Sequence, residues 1–237
     1  MGKRRISLHN LFTDMDKELW EDIVRSIEIL KRIYQLGNYV ISLGTIQVLR
    51  KKIAKFATHG KQIVEVGSGP GTFLKLLREN SSGTIIGLDP SISMAYFSHS
   101  KYLFADMIIG VAEALPFKEN SIDVIFCAFS FRDFFNKKLF LEEAFRVLKR
   151  DGLLVILETN NPRKTLTRIF LLFIKAIGYF LSKLFLSRKN LYIGLVKSIN
   201  LMKPVEYYYE LAKRIGFRCV KYEKFLLDHA FIMIAIK

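Results

Sequence analysis

The chain has 237 residues, 51% of them apolar and 13% aromatic, which excludes a disordered chain and leaves enough length to bury one large core. Its two cysteines, Cys127 and Cys219, stand in no paired or metal-like spacing, so a disulfide framework and a zinc site are excluded and a reducing compartment fits. The net charge of +15 is uneven: residues 1–60 carry 11 basic against 6 acidic side chains, residues 61–160 carry 11 against 12, and residues 161–237 carry 15 against 4.

A near-neutral middle with basic flanks points to an anionic partner, nucleic acid or a membrane surface, with a solvated basic face as the alternative. The N-terminus, MGKRRISLHN, runs into polar and acidic residues without an apolar core of its own. No secretory signal is read there, and the chain is expected in the cytoplasm. Further on, KQIVEV (61–66), TIIGLD (84–89), VIFCAF (124–129) and LLVILE (153–158) are short, rich in β-branched or aromatic residues, and bounded by Gly, Pro or Asn. They read as buried strands, and IIGVA (108–112) as a further one. Helical patterns lie between them at 71–80, 91–104 and 137–150. The last puts Leu139, Phe140, Ala144, Val147 and Leu148 on one face. Strand and helix alternating at this spacing predict an α/β domain with a parallel, doubly wound sheet.

The segment 164–200 is apolar but broken by Lys175 and Lys183, so it lacks the roughly 20 apolar residues of a spanning helix. At 100° per residue Lys164, Arg168, Lys175 and Lys183 form a basic stripe. That predicts an interfacial helix lying on anionic lipid and admitting an isoprenoid substrate. The alternative is a helix packed on the core or in a homodimer. PVEYYYELAKRIGF (204–217) is a Pro-started, Gly-ended helix, and CVKYEKFLL (219–227) with AFIMIAIK (230–237) make a closing hairpin.

The chemistry is concentrated at IVEVGSGPG, residues 63–71. Gly67, Gly69 and Gly71 allow a tight turn and a close approach of backbone to a ligand. Their spacing is G-x-G-x-G rather than the G-x-G-x-x-G of dinucleotide binding. Glu65 precedes the turn, and Asp89 ends the next predicted strand 24 residues later, where it can accept the hydroxyls of a ribose. An acid before the glycines, with no phosphate-binding spacing, suggests a cationic nucleoside such as S-adenosyl-L-methionine.

These features resemble the class I S-adenosylmethionine-dependent methyltransferases, and within them the C-methyltransferases of ubiquinone and menaquinone biosynthesis. The resemblance rests on YQLGNYVISLG (34–44), VEVGSGPGTF (64–73), GLDPSISM (87–94), AEALPF (112–117), FRDFFN (131–136) and AFRVLKRDGLLVILE (144–158). It implies one Rossmann-like, seven-stranded domain over 1–237: a helical cap (1–60), a cofactor-binding core (61–160), a hydrophobic basic insertion (161–203), and a closing helix and hairpin (204–237). It implies that Glu65, Gly67, Ser68, Gly69, Gly71, Asp89, Pro90, Met94 and Phe129 surround the cofactor, with Val111, Ala112 and Glu113 near the adenine. Methyl transfer to a carbon of a quinol-like, polyprenylated ring follows, with Arg132, Asp133 and Glu158 as the catalytic candidates. Arg132 would hold a phenolate and Asp133 would take protons. The chain departs from the family pattern at Val111, where Asp or Asn is usual, at Asp133 and Asn136 in the Arg-containing segment, and at Gln35 after Tyr34.

Other candidates read as structural. His9, His59, His99 and His229 show no metal spacing, and Cys127 ends an apolar strand as a buried thiol. Against nucleic acid as acceptor, the fourth strand leads into FSFRDFF rather than an Asn/Asp-Pro-Pro-aromatic sequence, and no Pro precedes Cys127. Another lipid or a small phenol as acceptor stays open, as does a non-catalytic membrane-associated binding protein.

Overall fold

A computed structural model describes residues 13–30, 44–160 and 197–237. Residues 164–196 of the basic segment, and Tyr34 with Gln35, lie outside the described residues. Two helices, α1 (Lys17–Leu30) and α2 (Thr45–Ala54), precede β1 (Gln62–Val66), α3 (Leu74–Asn80), β2 (Thr84–Asp89), α4 (Ile92–Lys101) and β3 (Ala105–Ile109). There follow β4 (Ile122–Ala128), α5 (Lys137–Val147), β5 (Leu148–Thr159), α6 (Val205–Ile215), β6 (Arg218–Phe225) and β7 (Ala230–Ile236).

The strands form one seven-stranded sheet in the order β3-β2-β1-β4-β5-β7-β6. It is parallel from β3 to β5, and β7 runs antiparallel between β5 and β6. The apolar runs are continuous because both faces are covered. Val64 and Val66 of β1 enter one core with Leu88, Ile125 and Ile156, against α5 and α6. Ile63 enters the other with Ile85, Val124, Phe126 and Val155, against α2 and α3. Successive side chains therefore serve opposite faces of the pleat.

Helix ends follow their sequence signals. Ser91 accepts the Met94 N–H at 3.1 Å and Asn136 the Leu139 N–H at 3.0 Å, each capping the helix it precedes. Pro204 precedes α6, and Gly216 ends it at φ 119°, in the left-handed region glycine favours.

Several boundaries differ from expectation, three of them for reasons the local geometry makes plain. β3 lies at 105–109 rather than 108–112, because its pairing with β2 ends at Ile109 opposite Asp89. Gly110 then donates to the Asp89 carbonyl at 3.1 Å, and the chain turns toward the site. α3 starts at Leu74 rather than Gly71, since the glycines occupy a turn. α5 ends at Val147, where Leu148 swings to ψ 141° and pairs with Ile122.

At the carboxyl end of β5 one buried residue ties three segments together. Asn160 donates its N–H to the His229 carbonyl at 2.8 Å and accepts the Val205 N–H on Oδ1 at 3.1 Å. The β6–β7 hairpin turns at the same edge, with Leu226, Leu227 and Asp228 all at positive φ and Leu227 86% exposed.

Candidate active site

Ligands of such sheets bind beyond the carboxyl ends of the strands, where the strand order reverses. Here the reversal lies between β1 and β4, and a concave pocket opens beside it. Its wall includes Glu65 through Pro70 from the end of β1, Asp89 to Ser91 from the end of β2, Met94 of α4, Val111 to Glu113, and Ala128 to Ser130 from the end of β4. Trp20, Ile23 and Val24 of α1, Arg50 of α2 and Asp133 also line it.

The glycine turn is held by the strand beside it. Gly67 and Ser68 donate to the Leu88 carbonyl at 2.7 and 3.1 Å, and Ser130 Oγ donates to the Val66 carbonyl at 2.6 Å. All three glycines have positive φ, yet they answer different needs. A Cβ on Gly67 would meet Ser130 at 2.4 Å, and one on Gly71 would meet Ser98 Oγ at 2.2 Å. Those two permit close packing. A Cβ on Gly69 would meet nothing within 4 Å; Gly69 lines the cavity, so its bare backbone faces ligand space.

Asp89 links the two loops. Its Oδ2 accepts the Gly69 N–H at 2.7 Å and its Oδ1 the Ser91 N–H at 2.9 Å. Burial pushes its carboxyl up to about 6, against the pull of those two N–H groups. Glu65 is 2% exposed, and burial holds it well above the usual carboxylate range. Its Oε2 has no hydrogen-bond partner among the described residues. Glu113 accepts the Asn136 N–H at 3.0 Å and is pushed up to about 7, chiefly by burial.

Behind this wall lies a buried ionic cluster. Arg132 donates from Nη1 to Glu158 Oε1 at 2.8 Å and from its backbone to Oε2 at 3.0 Å. Thr159 donates to the same Oε1 through its N–H at 2.7 Å and its hydroxyl at 2.9 Å. Asp133 Oδ2 is 3.6 Å from Arg132 Nη2. Burial raises the Asp133 carboxyl, opposed by Arg132. Lys137 is 1% exposed and donates to the Phe134 carbonyl at 2.8 Å. Burial lowers its ammonium, while Asp14, Asp133, Glu113 and Glu158 pull the other way.

The expected cofactor residues Glu65, Gly67, Ser68, Gly69, Asp89, Pro90, Met94, Val111, Ala112, Glu113 and Phe129 all fall on the cavity wall, and Gly71 packs behind it. Of the catalytic candidates, Asp133 lines the cavity. Arg132 and Glu158 are absent from that wall and engage each other instead. Cys127 is buried in the sheet, its thiol pushed up by burial. Arg50, Lys137, Ser130 and the α1 residues were not foreseen. Arg50 and Lys137 each sit in a run of basic residues, Arg50-Lys51-Lys52 and Lys137-Lys138, and nothing in such a run marks the member that is buried.

The sequence model of the ubiE/COQ5 methyltransferase family matches residues 13–237. The demethylmenaquinone methyltransferase of Thermotoga maritima is 30% identical over 217 residues, which is 89% of this chain and 94% of that protein. The ubiquinone/menaquinone biosynthesis C-methyltransferase of Campylobacter jejuni is 26% identical, over 92% of this chain and 98% of its own. Among solved structures, a SAM-dependent methyltransferase from Archaeoglobus fulgidus superposes with a TM-score of 0.60 at 16% identity, covering 86% of this chain and 99% of that one. That last likeness is one of fold.

Two carboxyls raised in the folded state make stability depend on pH with an unusual sign. The protonated forms of Asp89 and Glu113 favour folding below about pH 4, and that contribution is lost as pH rises through about 6 and about 7. For Asp89 the loss is about 3 kcal/mol at most. Urea unfolding from pH 4 to 8 should therefore show stability falling more steeply with pH in the ligand-free wild type than in Asp89→Asn. Equal slopes would mean that Asp89 titrates alike in both states.

Proposed function

The chain belongs to the ubiE/COQ5 methyltransferase family and is an S-adenosylmethionine-dependent methyltransferase, and from that premise we propose that its acceptor is a ring carbon of a polyprenylated hydroquinone. The observation that carries this reading is the reach of the match: residues 13–237 include every described segment of the cavity wall, α1 among them. The relatives named for demethylmenaquinone and ubiquinone/menaquinone chemistry cover about nine-tenths of the chain. Another lipid or a small phenol is the alternative acceptor.

The cavity fits the cofactor. Glu65 Oε2, buried and without a partner among the described residues, offers an acceptor to a cation. Asp89 keeps further lone pairs for ribose hydroxyls, since a carboxylate has about four acceptor sites. Gly69 leaves backbone against the ligand. Val111, in place of the usual polar residue, packs against the cluster of Met15, Ile23 and Phe135 and gives the adenine an apolar wall. When bound, the cofactor supplies an electrophilic methyl group on a sulfonium.

Activation of the acceptor falls to the chain's own residues. A free phenol titrates near 10, so its ring becomes a carbon nucleophile at neutral pH only if a nearby group takes the proton. Asp133 takes it. Its Oδ1 is buried without a hydrogen-bond partner among the described residues, and its carboxyl is raised toward proton-holding. Arg132 acts through Asp133: the Glu158 pair fixes the guanidinium, and the guanidinium fixes the carboxylate. Arg132 is thus a positioning residue.

The substrate's isoprenoid tail puts the enzyme at the cytoplasmic face of a membrane. Supporting this are the +11 charge of residues 161–237 and the exposed Leu226 and Leu227 at the hairpin tip, at the carboxyl end of β5. Lys52 lies 4.5 Å from the Phe225 ring at the same edge. Among the described residues no helix is long and apolar enough to cross a membrane.

Three outcomes follow. Gly69→Val should abolish binding of S-adenosylmethionine in calorimetry while the fold is retained, because its side chain enters ligand space. Asp133→Asn should lower turnover of a demethylmenaquinol by about 10² to 10⁴ with cofactor affinity unchanged, as read by mass spectrometry of the methylated ring; full activity would remove Asp133 from the chemistry. In liposome flotation the protein should bind anionic vesicles more than neutral ones and release at about 1 M salt, where the screening length is about 3 Å. Equal recovery on both would assign the basic segment to core packing or a homodimer.

A further inference from the structure

The chemistry proposed above leaves one buried charge unused. Helix α5 turns Phe140, Leu141, Ala144 and Val147 toward the core, and Lys137 lies at helical spacing on the same stripe. An apolar side chain is expected there, yet this lysine is 1% exposed while its neighbour Lys138 is exposed. Lysine is almost never fully buried without a partner, and the chain supplies partners to both its backbone and its side chain. Asp14 Oδ2 accepts the Lys137 N–H at 2.8 Å, and Nζ donates to the Phe134 carbonyl at 2.8 Å. Phe134 follows Asp133 and lines the cavity with it.

That ammonium sits in a cluster short of positive charge. Burial lowers it, while Asp14 ahead of α1, Asp133 in the turn before α5, Glu113 after β3 and Glu158 at the end of β5 all pull the other way. The other cation of the cluster, Arg132, is committed elsewhere: its Nη1 stands 2.8 Å from Glu158, its Nη2 3.6 Å from Asp133. Asp133 is thus left with a distant share of one guanidinium. Burial pushes its carboxyl up and Glu158 adds to that, whereas Arg132, a hydrogen bond from Ser198 and the charge of Lys137 oppose it. Tyr208, which also feels Asp14 and Glu158, is pushed up by burial and stays neutral.

We propose that Lys137 is a positioning residue for methyl transfer, its buried ammonium holding Asp133 in the ionised form that takes the acceptor's proton while its bond to the Phe134 carbonyl fixes the turn beside it. The assignment rests on the reading of Asp133 as the base. It explains why a charge is kept on a stripe where an apolar side chain of similar volume is often neutral or stabilising. Lys137 gives up and receives nothing: the phenolic O–H breaks, its proton passes to Asp133, and the ammonium stays protonated throughout. The rival account is that Lys137 only ties α5 to the turn through its hydrogen bonds.

The pH dependence of kcat/KM for a demethylmenaquinol, measured on the full chain, separates charge from tie. A cation near a carboxyl favours its ionised form, so removing the cation makes Asp133 hold its proton to higher pH. Lys137→Gln keeps a donor for the Phe134 carbonyl and removes the charge. Its acid limb should move up by about one unit or more, with the rate above that limb close to wild type and the affinity for S-adenosylmethionine unchanged. Lys137→Arg, charged at every pH, should leave the limb where wild type has it. A limb that stays in place in Lys137→Gln, or a rate lowered equally at every pH in both variants, overturns the proposal and leaves Lys137 as a tie. Asp133→Asn checks the reading beneath it: rate and limb should both be lost there, and full activity would remove the base and this proposal together. If Lys137→Gln does not fold, Lys137→Met, uncharged and of similar length, is measured in its place with the same shift expected.

Discussion

Asp89 is the residue on which the cavity depends. One carboxylate at the end of β2 takes an N–H from the glycine turn and another from the loop entering α4, so the two loops cannot drift apart without leaving a buried charge unsatisfied. The same loop is tied to α1, where Ser91 Oγ donates to Glu28. Because β1 and β2 pair in register from Gln62 with Thr84 to Val66 with Leu88, the glycine turn begins level with Asp89. Parallel register thus delivers the acid to the turn, and the turn presents the bare backbone of Gly69.

Behind that wall, charge is used to hold shape. Arg132 and Glu158 are both nearly inaccessible, and removing one member of such a pair typically destabilises by about 3–5 kcal/mol, because the other is left as a buried charge. The cluster also ties distant segments. Asp14 accepts the Lys137 N–H at 2.8 Å, and the Phe135 carbonyl accepts the N–H groups of Thr13 and Asp14 at 3.2 and 3.0 Å. Trp20 meets Phe135 edge-to-face at 5.7 Å. The α1 helix is thereby fixed over the cavity by the segment that carries Asp133.

The sheet was legible because its strands are buried on both faces, so each prints as an unbroken apolar run between turn residues. β3 was misplaced for the complementary reason. It is an edge strand with Asp106 exposed and Ile109 56% exposed, and its sequence alternates too loosely to set its ends. The cofactor wall was legible where backbone chemistry demands particular residues, as at Gly69 and Asp89. Charged side chains were not. Whether Arg50 or Lys51 is buried depends on how α2 rotates against β4, and whether Arg132 faces a ligand or Glu158 depends on β5 lying next to β4. Both are tertiary facts with no local signature.

Asn160 has a consequence for how this scaffold can vary. Its side chain accepts the Val205 N–H and its backbone donates to the His229 carbonyl, so the end of β5, the start of α6 and the turn of the closing hairpin are fixed at one point. A replacement that cannot accept there would leave the Val205 N–H buried and unpaired, at a cost of about 1–3 kcal/mol, and would loosen all three elements at once. This single amide therefore limits substitution far beyond its own position.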